Sequence, residues 1–197
     1  MGEFSKIQNK KIKLLEIGVR YGVSMMMWDR WFKKGEIAKN NNNPFEAFFY
    51  LWISWVIACR IFISYNIDID ARANNTDRDD ILFWCKQNSD FVTETIEANY
   101  ASLELLGKRK GSRYGDPIVD ANPKLTSYFS TLSMYFKNQY TYKKNKELAT
   151  HFGELLNKIR NNLFHGDKSY NDKNDLELIQ SVLPTLYDFT KEAIKYY

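Results

Sequence analysis

Apolar residues recur along most of the chain at intervals of three and four, the spacing of one helical face, while period-two alternation is weak throughout. From Ile7 to Lys39 the pattern predicts one or two helices, with Gly18, Gly22 and Gly35 as weak points. Met25, Met26, Met27 and Trp28, followed by Trp31 and Phe32, read as a core edge or as a dimer contact. The run Asn40 to Asn43 before Pro44 reads as a loop ending in a helix start, with Pro44 near the first helical position.

Phe45 to about Ser64 is the central helix, apolar nearly all round and so buried on several sides. Thr76-Asp77-Arg78-Asp79 is a capping box opening a short helix over Ile81 to Lys86, and a further helix runs from Ser89 or Asp90 to about Leu106. Gly107 to Pro123 is the clearest loop. Its Lys108, Arg109, Lys110 and Arg113 suit either a solvated loop, the favoured reading, or a grip on phosphates. Helical patterns then cover Leu125 to Tyr140, Glu147 to His165 and Asp175 to about Tyr196, the last opened by a capping box over Asn174 to Glu177 and kinked at Pro184. The expected class is all-α, an up-and-down bundle of about five to seven helices.

Composition agrees with this class. Of 197 residues only 4 are Pro and 9 are Gly, so helix breakers are scarce, and 44% hydrophobic with 16% aromatic content supports a ring-rich core. Cys59 and Cys85 cannot build a disulfide framework or a multi-cysteine zinc site, and two histidines do not make a multi-His metal centre. No metal and no cofactor is expected. The N-terminus lacks the apolar segment of a secretory signal, and the longest uncharged apolar stretch, Ala47 to Cys59, is interrupted by Arg60. A cytoplasmic protein without a membrane partner is the expectation. The net charge of +4 permits a nucleic-acid partner without requiring one.

The chemistry-bearing segment runs from Glu147 to Gly166. At about 100° per residue, Leu148, Phe152, Leu155, Leu156, Ile159 and Leu163 form one apolar arc, the core face. Glu154, Lys158, Asn161 and His165 line a stripe nearly opposite, Arg160 falls on its flank, and Phe164 lies close to the polar side. His165 is therefore not a core histidine. It is either a solvent-facing residue before a Gly166 C-cap, favoured there by the carbonyl dipole, or part of a site. His151 reads as a surface residue, and Glu46 as a first-turn acid that suits the helix dipole.

Arg160-Asn161-Asn162-Leu163-Phe164-His165-Gly166 matches the R-N-x-x-x-H signature of the HEPN family. Asn43 to Trp55, a Phe followed by an aromatic-rich Leu-Trp-Ile run, resembles the central helix of many bacterial members. The likeness covers about residues 43–197, read as the HEPN-like bundle, with 1–42 as a helical extension packed on the same domain. The resemblance implies a homodimer in which two signatures face each other. It implies a metal-independent endoribonuclease of phage defence, abortive infection or toxin–antitoxin growth arrest, acting on single-stranded RNA or tRNA, with a cognate antitoxin as a further partner. Catalytic residues would be Arg160, Asn161 and His165. Other members have lost catalysis and bind RNA, a nucleotide or a protein, which is the second reading; a plain helical interaction protein, or one bound peripherally to a membrane through its aromatic helices, is the third. One HEPN toxin group carries Tyr two residues after the His; here Asp167 stands there, so that feature is not carried over. Glu46 resembles an acidic or polar position of some members.

Overall fold

A computed structural model describes residues 26–66, 76–107, 145–165 and 173–195, with the side chains of 64–66, 104–107, 145, 162, 164, 165, 174 and 194 outside the description. The described part is all-helical: α1 (Met27–Asn40), α2 (Pro44–Asn66), α3 (Asp77–Gln87), α4 (Ser89–Ala98), α5 (Tyr100–Gly107), α6 (Asn145–His165) and α7 (Lys173–Ile194). Among the described residues there is no strand, and the expected all-α bundle of five to seven helices is what forms. The sequence readings for Ile7 to Met25, for the Gly107 to Pro123 loop beyond its first residue and for a helix over Leu125 to Tyr140 lie outside the described residues.

The asparagine run makes a specific turn. Asn42 adopts the left-handed conformation, φ 55°, its N–H donates to Lys39 O and that of Asn43 to Ala38 O, which is a Schellman closure of α1. The Asn43 side chain then accepts from the N–H of Glu46, and Pro44 fills the first position of α2, where no N–H is needed. α3 opens on the predicted box: Asp79 N–H donates to Thr76 Oγ1, and Thr76 N–H returns to the Asp79 carboxylate.

The single helix expected from Ser89 to Leu106 is two helices. Asn99, at φ −102° and ψ 13°, separates α4 from α5, and Asn88 separates α3 from α4 in the same way. Each asparagine donates both its backbone N–H and its carboxamide to the carbonyl four residues back, Trp84 for Asn88 and Thr95 for Asn99. Its own carbonyl accepts from the residue four ahead, Val92 or Leu103. Side-chain competition for local carbonyls is why asparagine breaks helices so cheaply. A second correction concerns α7. It starts at Lys173, so Asn174 is already helical and does not cap it.

Packing places α2 centrally, between α1 and α3 on its flanks and against α7 along its length. Gly35 is a contact point: a Cβ there would stand 2.7 Å from Leu51 Cγ, so only glycine lets α1 approach α2 this closely. α6 lies on α3 and α4, and Gly153 brings it against Cys85 and Leu82. Phe189 of α7 is the hub of the core. Its ring meets Trp55 at 5.5 Å, Trp84 at 5.7 Å, Phe152 at 5.8 Å and Phe91 at 6.2 Å, so one side chain joins α2, α3, α6 and α4. Cys59 and Cys85 are buried free thiols, and burial pushes the Cys85 thiol pKa up.

α2 is long and apolar enough over Pro44–Ile63 to cross a membrane, and most of that stretch is buried inside the bundle. Arg60 sits within this helix and pairs with Asp77 and, at 3.3 Å, with Asp80. The Asp80 side chain is 1% exposed, so Arg60 supplies the countercharge that a buried carboxylate needs.

Candidate functional site

The apolar arc predicted for α6 is buried throughout: Leu148, Phe152, Leu155, Leu156, Ile159 and Leu163 all face the core, joined by Ala149. Burying that arc against α3 and α4 turns the rest of α6 away from its packing partners. Lys158 is exposed, Glu154 and Asn161 are half-buried, and Arg160 is half-buried on the flank.

Arg160 and Asn161 are brought together. Arg160 Nη1 donates to Asn161 Oδ1 at 2.8 Å. Guanidinium has only donors, so the carboxamide turns its oxygen to Arg160 and keeps its NH₂ for an acceptor elsewhere. Arg160 Nε is shielded from solvent, so part of this side chain lies against the protein. Guanidinium and carboxamide N–H groups are the donor types that an anion with several oxygens takes. His165 is the last residue of the same helix, one turn beyond Asn161; its side chain lies outside the description. The placement of Phe164 toward the polar side is outside it too.

Sequence reading missed a partner of this stripe. Arg78 of α3 grips Glu154, with Nε to Oε2 at 2.8 Å and a second bond from Nη2 to Oε1. The only signal was its place in the Thr76–Asp79 box, which says nothing of a partner. The contact spans 76 positions, which no local pattern encodes. Within the box, hydrogen bonds from the Thr76 backbone and hydroxyl hold the Asp79 carboxyl below its usual pKa.

Compared with known proteins, the chain matches no family model, no curated protein and no solved structure.

One sequence reading changes and one stands. His151 is half-buried with Nδ1 shielded from solvent, so it is not a plain surface residue; it lies beside the buried Phe152 on a helix packed against two others. Glu46 is exposed in the first turn of α2, where its carboxylate suits the dipole. Among the described residues no three His, Cys, Asp or Glu side chains form a metal-ligand group.

Proposed function

We propose that this chain is a HEPN-type endoribonuclease that works as a homodimer with a composite site of Arg160, Asn161 and His165. The observation that carries the reading is the Arg160–Asn161 pair, locked by a 2.8 Å bond on the outer side of α6 and followed one turn later by His165. The all-helical bundle, with this helix next to last among those described, supports it.

The chemistry follows from the groups. RNA supplies its own nucleophile, the 2′-hydroxyl. It attacks the adjacent phosphorus, the bond to the 5′-oxygen breaks, and a 2′,3′-cyclic phosphate remains. A base takes the 2′-proton and an acid returns one to the leaving oxygen. Imidazole titrates near neutrality and suits either task, so His165 of one or both protomers is assigned to it. Arg160 and the Asn161 NH₂ donate to the non-bridging oxygens as charge builds on them. No step calls for a metal. We place the protein in the cytoplasm, where RNA is the substrate and an antitoxin a fitting partner.

The test is cleavage of total tRNA and of a mixed-sequence single strand by purified protein in EDTA, beside His165→Ala. Cleavage with cyclic-phosphate ends, lost in the variant, is expected. A folded dimer that binds RNA without cutting it would replace the nuclease with a binding module.

A further inference from the structure

The outer stripe of α6 holds an acid and a base that would ordinarily answer each other. Glu154 stands four residues before Lys158, the order in which an acid and a lysine pair best along a helix. Arg78 of α3 holds Glu154 instead and engages both of its carboxylate oxygens, Nε with Oε2 at 2.8 Å and Nη2 with Oε1. The other positions within reach of Lys158 along the helix, Leu155, Asn161 and Asn162, carry no charge. Among the described residues no carboxylate is in ion-pair contact with Lys158.

The two cations differ in how far they are committed. Arg78 lies between Glu154 and the Asp79 carboxylate, 3.7 Å from Nη1, so its charge is answered twice. Lys158 is the exposed one among the described residues from His151 to Leu163. It precedes Asn161 by three residues, about 4.5 Å of helix rise, and His165 by seven, so the spacing sets all three in one stripe. An ammonium without a carboxylate partner therefore stands one turn before the Arg160–Asn161 pair.

We infer that Lys158 binds a phosphate beside the scissile one on an RNA strand lying along α6, and that Arg78 keeps it available by holding Glu154. The inference rests on the ribonuclease reading and adds to it a substrate contact outside the reacting groups. Lysine meets phosphate as a point charge on a flexible stem, without the fixed fork of arginine. That suits a flanking phosphate, whose place shifts with the strand, while the scissile phosphate takes the planar donors of Arg160 and Asn161. Released from Arg78, Glu154 would neutralise Lys158 and set its own negative charge along the path of the strand. The clasp removes both effects.

The test uses the full chain carrying His165→Ala, which holds a mixed-sequence RNA strand without consuming it, with affinity measured over a range of salt. Lys158→Ala should weaken binding about fivefold at low salt. It should also reduce the salt slope by about 0.7, the share of one phosphate contact. Lys158→Arg should keep both. Arg78→Ala should weaken binding in the same way, because Glu154 then turns to Lys158, and adding Glu154→Gln should restore it. A clasp that only braced α6 predicts no such rescue, since the double variant lacks it too. Unchanged affinity and slope in Lys158→Ala, or an Arg78→Ala loss that Glu154→Gln fails to restore, overturns the inference, and RNA cleavage by the wild type then leaves the ribonuclease reading standing. Wild-type protein that neither cuts nor binds RNA overturns both.

Discussion

Arg78 reaches from the first turn of α3 to clasp Glu154 of α6, and Glu154 stands two turns before Asn161 in the same polar stripe. The clasp ties the outer edge of the candidate-site helix to a helix that also holds Asp77 and Asp80 against Arg60 of α2. Because Arg78 is half-exposed, the pair contributes less than about 1 kcal/mol. Arg78→Ala and Glu154→Gln should each lower stability slightly, and the double variant should cost no more than either alone. A double-mutant cycle by urea unfolding reads this coupling.

Asn161 accepts from Arg160 through its oxygen, so its two replacements should differ. Asn161→Ala removes a donor and releases Arg160. Asn161→Asp keeps the acceptor but sets a negative charge where a phosphate would sit. Single-turnover RNA cleavage should fall about 10²–10³-fold in the alanine variant, the usual cost of one transition-state donor. It should fall further in the aspartate variant. An aspartate variant as active as wild type would remove Asn161 from the site.

Arg60→Met takes the guanidinium away from the Asp80 carboxylate in a nearly dry position. The expected cost is about 1–3 kcal/mol, toward the lower end because Arg60 itself is partly solvated. Adding Asp80→Asn should recover part of it, since a neutral amide is less costly to bury. Urea midpoints of the single and double variants decide this.

Phe189→Ala removes a ring touched by four other rings on four helices. The void sits where no single helix can shift inward without dragging the others, so relaxation is poor. A loss of about 3–5 kcal/mol is expected. Replacement by Leu, which refills much of the volume, should cost distinctly less. Chemical denaturation followed by tryptophan fluorescence would report both, since Trp55 and Trp84 flank the ring.

Tyr187 fastens α7 to α1. Its hydroxyl donates to Glu36 at 2.8 Å, and its ring stacks on Phe32. The Glu36 bond, and then burial, push the phenol pKa up to about 12. The folded state thus holds its proton more tightly than the unfolded chain, where phenol titrates near 10. The stabilising contribution is complete below about pH 10 and is lost as pH rises toward 12. Tyr187→Phe should flatten that alkaline decline in melting temperature and leave the neutral-to-acid side nearly unchanged in slope.

Much of the local architecture was legible. The α6 core arc, the Thr76 capping box, Pro44 at a helix start and the long buried α2 all follow from spacing and residue type, because helical periodicity and capping act within four residues. Asn88 and Asn99 show the limit of that reading. Both carry a local signal, yet in a helical pattern an asparagine can lie quietly on the surface. Asn99 becomes a break in a setting where its amide also reaches Asp188 at 3.1 Å, from a helix 89 positions away.

By itself the sequence determined most of the helical stretches among the described residues, which face of α6 turns inward, and that Arg160, Asn161 and His165 share one helix. Those properties depend on short-range sterics and on the repeat of apolar side chains. Only the tertiary structure decided that Arg78 answers Glu154, that Arg60 neutralises a buried Asp80, and that Phe189 gathers the core rings. It also decided that Gly35, a weak point in an isolated helix, is the place where α1 can touch α2. Pairings of this kind are chosen by which helix faces meet when the apolar surfaces are buried, and a charged or ring side chain carries no mark of a partner dozens of residues away.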